Sequence, residues 1–231
     1  GRRAGEDAIQ DPLYPDDGAD DGEFHTRLHR LVGPWELALY GYYGYWKSPG
    51  GMDPVSGRGT FPRLAVYGSS IRGPAMGGIA NAEFGYYDSR DDRGGSDPLI
   101  ANGQTRWLLG YQHELARDLS LGLQYYLEHM LDYDAYRANL PAGQRAADQD
   151  RQVLTISLTQ MLLQQNLTLA LFAYWSPTDE DAYLRPSISY KLSDAWLVTA
   201  GANLFVGNHE ETFFNQFEHD TNVYAGLRWS F

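Results

Sequence analysis

The last nine residues of the chain, Val223-Tyr-Ala-Gly-Leu-Arg-Trp-Ser-Phe231, alternate in polarity from one end to the other. The apolar positions are Val223, Ala225, Leu227, Trp229 and Phe231, and the positions between them are Tyr224, Gly226, Arg228 and Ser230. A repeat of two residues is the period of a β-strand with one apolar and one polar face. Since a strand of a soluble sheet rarely ends a chain on an exposed Trp-x-Phe, the segment predicts a strand whose apolar face meets lipid.

Similar alternation recurs along the rest of the chain, and none of these runs shows the 3.6-residue repeat of a helix. Their apolar faces are rich in leucine rather than in β-branched residues, which is unusual for a soluble sheet and tolerated where a face meets fluid lipid. We expect about eleven strands, near residues 23–33, 34–47, 60–73, 78–90, 102–115, 119–133, 150–164, 167–176, 181–192, 195–206 and 220–231.

The connections between these runs alternate between short turns and longer polar loops. Turn-forming sequences such as Gly33-Pro34 and Ser193-Asp194 join some pairs of strands. Longer polar segments, such as 48–59 and 134–150, join the others. Short turns on one side and longer loops on the other are typical of outer-membrane barrels. The pattern therefore predicts an all-β fold, an antiparallel transmembrane up-and-down β-barrel.

Composition agrees with this prediction. No stretch approaches the roughly 18 consecutive apolar residues that a transmembrane helix needs, and the mean hydropathy of −0.47 suits a barrel with a polar interior. Aromatic residues make up 14% of the chain, enough for interfacial girdles. The net charge of −12 disfavours nucleic-acid binding, and with no cysteine the chain has no disulfide and no thiolate metal site. The expected girdle residues are Trp35, Tyr45, Trp46, Trp107, Trp175, Trp196 and Trp229. The alternative is a channel in which inward-facing aromatic side chains stack on carbohydrate, with Tyr40, Tyr42 and Trp46 as the candidates.

With an odd number of antiparallel strands, the chain enters the first strand on one side of the membrane and leaves the last strand on the other side. We therefore expect residues 1–22 to form an acidic extracellular loop or tail. Because bacterial single-chain barrels have even strand numbers, residues 23–231 are expected to be the C-terminal portion of a larger, even-stranded barrel. A miscounted strand is the alternative.

Several segments between Trp35 and Phe231 resemble the C-terminal region of a family of uncharacterised porin-like outer-membrane β-barrel proteins of proteobacteria. The segments that carry the resemblance are 45–49 (YWKSP), 85–90 (GYYDSR), 124–128 (QYYLE), 165–169 (QNLTL), 183–186 (YLRP), 212–217 (TFFNQF) and 222–231 (NVYAGLRWSF). The resemblance implies a barrel fold and a closing strand, but no activity that can be assigned to a residue. By the same resemblance, Leu227, Trp229 and Phe231 form an assembly signal for the barrel-assembly machinery.

Polar positions on the predicted strands are candidates for the lining of a lumen. Charged side chains there can line an aqueous channel, or they can hold the lumen together as ion pairs with no role in transport. The candidates for pore-lining residues are Glu36, Arg63, Glu83, Tyr87, Arg106, Glu114, Glu128, Arg185, Lys191 and Arg228.

The sequence offers little for catalysis or metal binding. Its serines, histidines and acids are scattered, with no Gly-x-Ser-x-Gly and no paired-carboxylate motif. The acidic loop 88–97 lacks the spacing of a calcium loop and contains two arginines. We expect no enzyme activity, no catalytic residues, no metal and no cofactor.

Three functions remain open from the sequence. The first is an outer-membrane channel for passive passage of small polar solutes. The second is an outer-membrane anchor or scaffold component of a transport, export or other multi-protein complex, with a periplasmic or other membrane partner. The third is a soluble β-sandwich or lectin-like module. The first two place the chain in the bacterial outer membrane, in contact with lipid.

Overall fold

The computed structural model describes residues 11–15, 22–144, 146–208 and 212–231. In this part of the chain, eleven long strands form one antiparallel sheet in which each strand lies beside its neighbours in sequence. Two further strands, β3 and β4, form a small separate hairpin in a loop. The strands are β1 (Phe24–Val32), β2 (Trp35–Tyr45), β3 (Gly51–Met52), β4 (Gly59–Thr60), β5 (Arg63–Ala75), β6 (Gly78–Ser89), β7 (Gln104–Ala116), β8 (Leu119–Met130), β9 (Asp150–Leu162), β10 (Leu167–Ser176), β11 (Asp181–Lys191), β12 (Trp196–Gly207) and β13 (Asn222–Trp229).

All eleven predicted strands are present, with ends that differ from the predicted ones by a few residues. The loop between β8 and β9 contains a short helix, α1 (Tyr133–Asn139), and the loop between β12 and β13 contains a 3-10 helix (Asn215–Asp220). Neither helix was expected from the sequence, because both lie in polar segments without a clear repeat. Of the acidic tail expected at residues 1–22, the structure describes residues 11–15 and 22, and there Leu13 bridges to Thr60 of β4 and Tyr14 stacks on Phe61.

Short turns connect the long strands at one end of the sheet, here called the short-turn end, and longer connections lie at the opposite end, the loop end. The turn between β5 and β6 is a two-residue hairpin at Met76 and Gly77, whose φ angles of 48° and 79° are both positive. Two positive φ angles match the right-handed twist of the flanking strands. The predicted alternation holds for the long loops after β2, β6, β8 and β12, but the β10–β11 connection at the loop end (177–180) has only four residues, as many as the turns at 163–166 and 192–195.

The two faces of the sheet differ in chemistry. One, here called the apolar face, exposes large hydrophobic side chains to the surroundings: Leu39 is 59% exposed, Leu109 55% and Leu227 63%. The opposite or polar face carries Glu36, Gln124 and other hydrophilic side chains at the alternating positions. A soluble sheet covers its apolar side with a second layer, whereas the apolar face here is left exposed among the described residues.

The buried core is small and lies at the loop end rather than between layers. The buried hydrophobic residues of the described chain are Ala38, Trp46, Leu64, Ala65, Val153 and Phe214. All except Ala38 lie at or beyond the loop end of their strands. Loop segments, and not a second sheet, therefore provide most of the tertiary packing.

The sheet is open in the described part of the chain. The edge strands β1 and β13 are each paired on one side only and are exposed along their whole lengths. Both run from the loop end to the short-turn end, as an odd number of antiparallel strands requires. The structure thus confirms an all-β antiparallel sheet of eleven strands, while closure into a barrel stays a prediction. None of the helices in the described segments is long and apolar enough to cross a membrane.

Candidate functional site

A cavity of about 670 Å³ lies on the polar face. Its lining begins at Arg27 on β1 and ends at Phe172 on β10, so that eight of the eleven long strands contribute to it. If the sheet were flat, these strands would span about 34 Å at their usual spacing. The sheet must therefore curl, with its polar face on the inside of the curve.

The cavity wall is formally neutral and more polar than apolar, and its apolar part comes from Ile71, Ile79, Leu123 and Phe172. Its charged residues are two arginines and two glutamates, Arg27, Glu36, Arg72 and Glu83. Hydroxyl and amide side chains supply most of the remaining polar wall: Tyr40, Ser70, Asn81, Gln112, Ser120, Gln124, Thr155, Ser157 and Thr159. The wall can therefore hydrogen-bond to a polar solute without attracting one sign of charge, although the whole chain carries −12.

A line of charged side chains crosses three strands at the loop end of the polar face. Arg106, Glu128 and Arg151 are direct partners on β7, β8 and β9. Arg106 Nε lies 3.1 Å from Glu128 Oε2, and Arg151 Nε lies 2.8 Å from a carboxylate oxygen of Asp179. Tyr126 donates its hydroxyl hydrogen to Glu128 at 2.8 Å. We call the four charged residues Arg106, Glu128, Arg151 and Asp179 the charge ladder.

Aromatic rings hold one end of the charge ladder in place. The Arg106 guanidinium lies 4.1 Å from the centre of the Tyr87 ring, and Tyr87 stacks on Trp46 with ring centres 6.0 Å apart. Stacking on aromatic faces is a favoured environment for a guanidinium. Trp46 is only 7% exposed and packs on the polar side, so its expected place in an outer aromatic girdle is wrong.

Nine of the ten predicted pore-lining residues lie on the polar face. They are Glu36, Glu83, Tyr87, Arg106, Glu114, Glu128, Arg185, Lys191 and Arg228. Arg63 is the exception, because it is paired with Tyr45 and its guanidinium lies 4.1 Å from the centre of that ring. Tyr45 shares the apolar face with Leu39, which corrects the position expected for Arg63.

The nine residues do not form one site. Glu36 and Glu83 line the cavity. Arg106 and Glu128 belong to the charge ladder, and Tyr87 packs against Arg106. Two more take part in short-turn structure. Glu114 accepts a hydrogen bond from the Asp118 backbone N–H at 3.1 Å. Lys191 pairs with Asp194 at 2.9 Å, and its hydrogen bond lowers the pKa of that carboxyl. Arg185 and Arg228 are exposed on β11 and β13.

Two members of the charge ladder, Arg151 and Asp179, were not predicted from the sequence. Arg151, Val153 and Thr155 lie at every second position of β9 and therefore on the same face. The polar-face pattern of β9 thus indicated that Arg151 lies on that face. Asp179 lies in the four-residue connection between β10 and β11, where strand periodicity carries no information. Its position depends on the hydrogen bond that its carboxylate accepts from Ser176 Oγ at 3.0 Å.

The predicted assembly residues are exposed at the short-turn end of β13. Trp229 stacks on Trp196 of β12 with ring centres 6.0 Å apart. Leu227 extends from the same apolar face, and Phe231 is fully exposed beyond the end of the strand. Their surroundings leave these side chains available to a partner or to lipid, and the proposed signalling role stays a prediction.

Two arginines of the acidic loop between β6 and β7 form ion pairs with Asp88 near the end of β6. One carboxylate oxygen of Asp88 lies 2.9 Å from Arg90 and 3.0 Å from Arg93. Within the described residues, no group of three or more histidine, aspartate or glutamate side chains is placed to hold a metal ion. Comparison of the sequence with models of known protein families and with curated proteins found no match.

Proposed function

We propose that this chain forms part of an outer-membrane β-barrel whose polar face lines a passage for small polar solutes. The observation that carries the proposal is the reversed distribution of polarity. An eleven-stranded antiparallel sheet exposes leucines and tryptophans on one face and encloses a hydrophilic cavity with the other. This arrangement is stable when the apolar face meets lipid and the polar face meets water.

The neutral cavity wall favours passage of solutes by size and hydrogen bonding rather than by net charge. The Arg27–Glu36 ion pair can orient a dipolar molecule without retaining an ion, and the hydroxyl and amide groups of the wall exchange hydrogen bonds readily with water. The function supported best is therefore diffusion of small hydrophilic molecules. The tyrosine and phenylalanine in the wall, Tyr40 and Phe172, offer flat surfaces for weak contacts with such solutes.

The test is conductance of the purified protein in planar bilayers, together with swelling of proteoliposomes in sugar solutions. Neighbouring residues on opposite faces provide a matched pair of variants. Ser157→Trp places a large side chain in the cavity, and Leu158→Trp places the same side chain on the apolar face. Lower conductance for Ser157→Trp alone supports a passage along the polar face. Correctly inserted protein with neither conductance nor swelling would rule out the channel.

A second candidate function is an anchor or scaffold for a multi-protein complex. The exposed edges of β1 and β13 favour it, because an unpaired strand edge is a template for another strand. The mass of the assembly after mild detergent extraction tests this candidate. A defined stoichiometric complex with a second type of chain, without conductance, would favour the scaffold over the channel.

A further inference from the structure

The last loop of the chain folds onto the polar face of the sheet. Phe214, just before the 3-10 helix, is 8% exposed and packs against rings on two strands. Its ring centre lies 5.1 Å from that of Tyr174 on β10 and 5.7 Å from that of Tyr183 on β11. The loop connects β12 to β13, so contact with β10 requires it to reach back across β11. We call residues 212–221 the inward segment.

Register places both tyrosines on the polar face. Tyr174 is the partner of Thr155, which lines the cavity, and Tyr183 is the partner of Tyr174 on the next strand. Phe205 of β12 stacks on Tyr183 at 4.6 Å and also contacts Phe217 of the 3-10 helix at 5.6 Å. The inward segment therefore covers the loop end of the polar face over β10, β11 and β12.

A buried polar contact fixes the inward segment. The backbone N–H of Phe214 donates to Asp181 Oδ2 at 2.7 Å, and Asp181 is 1% exposed. Asn215, the first residue of the 3-10 helix, is 5% exposed. Loss of the Asp181 carboxylate would leave the buried Phe214 N–H without an acceptor, which costs free energy, so this contact favours one defined position over a mobile surface loop.

A single glycine makes room for this contact. Gly207 is the partner of Asp181 on β12, and a Cβ atom at Gly207 would lie 2.6 Å from Asn215 Cβ and 3.0 Å from Asp181 Cβ. Both neighbours are held by backbone packing, so a methyl group there cannot be accommodated by rotation of a flexible side chain. An alanine at position 207 must displace the inward segment.

The geometry points to the inward segment as the constriction that sets the size limit of the passage. At the loop end, the charge ladder crosses β7 to β9 and the inward segment covers β10 to β12, so the mouth is lined by charge on one side and aromatic rings on the other. The cavity lies nearer the short-turn end of the strands, and most of its uncharged polar side chains are hydroxyl and amide groups. This inference rests on the proposed channel function and assigns its size selectivity to Phe214 and Asp181.

The experiment compares two alanine substitutions of glycines at the loop end. Gly207→Ala displaces the inward segment. Gly94→Ala, in the loop between β6 and β7, is the matched control, since a Cβ at Gly94 meets no atom within 4 Å. In sugar-swelling assays, Gly207→Ala is expected to raise the size cut-off and the single-channel conductance, while Gly94→Ala stays close to the parent. An unchanged cut-off for Gly207→Ala in a conducting protein would overturn the inference.

A second readout does not depend on conductance. The chain has no cysteine, so Ser157→Cys introduces one isosteric thiol into the cavity wall. Maleimides of increasing polymer length are added from the loop side of the inserted protein. With Gly207→Ala in the Ser157→Cys background, large reagents are expected to react several-fold faster. Equal rates for the Gly207→Ala and Gly94→Ala backgrounds would overturn the constriction. A conductance-free protein that still shows the difference would overturn the channel and leave the covered mouth in place.

Discussion

Arg106 and Glu128 face each other across β7 and β8, with Arg106 Nε 3.1 Å from Glu128 Oε2. Both side chains are less than one-third exposed, at 28% and 22%. The pair is joined on one side to the Tyr87 and Trp46 rings and on the other to Arg151. The Arg106–Glu128 pair therefore lies between the Tyr87 and Trp46 rings and strand β9.

Glu128→Gln keeps an oxygen that can accept the Tyr126 hydrogen bond but removes the charge that pairs with Arg106. It is expected to destabilise the fold by about 1–3 kcal/mol, because the partly buried Arg106 charge loses its partner. Urea titration of the detergent-solubilised protein measures the change. Glu36→Gln is the matched control. Glu36 pairs with Arg27 at 2.5 Å, but their side chains are 41% and 48% exposed, so loss of this pair should destabilise the fold clearly less than Glu128→Gln does. Equal effects for the two variants would contradict the special position of the Arg106–Glu128 pair.

Leu109→Arg tests whether the apolar face meets lipid. Leu109 is 55% exposed in the middle of β7. In a lipid bilayer, an outward arginine near the midplane should cost about 2–4 kcal/mol, whereas an exposed position in water tolerates most substitutions within about 0.5 kcal/mol. The measurement is the free energy of folding into lipid vesicles. Gln112→Arg, on the polar face of the same strand, is expected to fold nearly as well as the parent, and similar losses for both would argue against lipid contact.

Phe231→Ala tests the predicted assembly signal. Phe231 is fully exposed and lies beyond the end of β13, so its removal should leave the stability of the refolded protein unchanged. In cells, the variant is expected to reach the outer membrane in smaller amounts, as measured by quantifying the barrel in membrane fractions. Val223→Ala, on the same strand and 82% exposed, should assemble normally. Normal assembly of Phe231→Ala would remove Phe231 from the signal.

A hydrogen-bonded ion pair just outside the strands predicts a pH dependence at the edge of the sheet. The hydrogen bond from Lys47 lowers the pKa of Glu23, and the hydrogen bond to Glu23 raises the pKa of Lys47. The stabilisation of the start of β1 is therefore fully present above the usual glutamate pKa of 4.5 and below the usual lysine pKa of 10.5. It is lost as pH falls through the depressed pKa of Glu23 or rises through the raised pKa of Lys47.

Hydrogen exchange of the β1 amides measures this effect. Within the window, Lys47→Met should speed exchange at the start of β1 after correction for the intrinsic pH dependence. Below the depressed pKa of Glu23, the parent and the variant should converge. A constant difference at all pH values would mean that packing of the lysine stem, rather than the ion pair, holds this edge.

The eleven strands and most of their faces could be predicted because alternating polarity is a local property. Successive side chains of an extended backbone point to opposite sides, so the leucines of β8 and the terminal Val223–Trp229 segment reveal their faces without knowledge of any partner. Two of the short turns were visible for a similar reason, since glycine takes up positive φ angles readily, as Gly33 and Gly77 do.

Arg63 shows where this local information ends. The segment from Arg63 to Arg72 mixes small, polar and apolar residues, so its alternation is weak, and pairing with Tyr45 determines its face. The charge ladder likewise joins residues that are far apart in sequence, such as Arg151 and Asp179. Their contact depends on strand register and on the path of a connection, which the chain does not encode within one strand.

The sequence by itself determined that this protein is a sheet with one apolar and one polar face, since that property follows from residue chemistry and the geometry of an extended chain. Only tertiary structure determined that the sheet curls around a neutral cavity and that its last loop turns inward to contact Tyr174. The position of that loop depends on aromatic packing, the buried Asp181 contact and the space left by Gly207. Each brings together residues from different strands, and no single segment specifies the result.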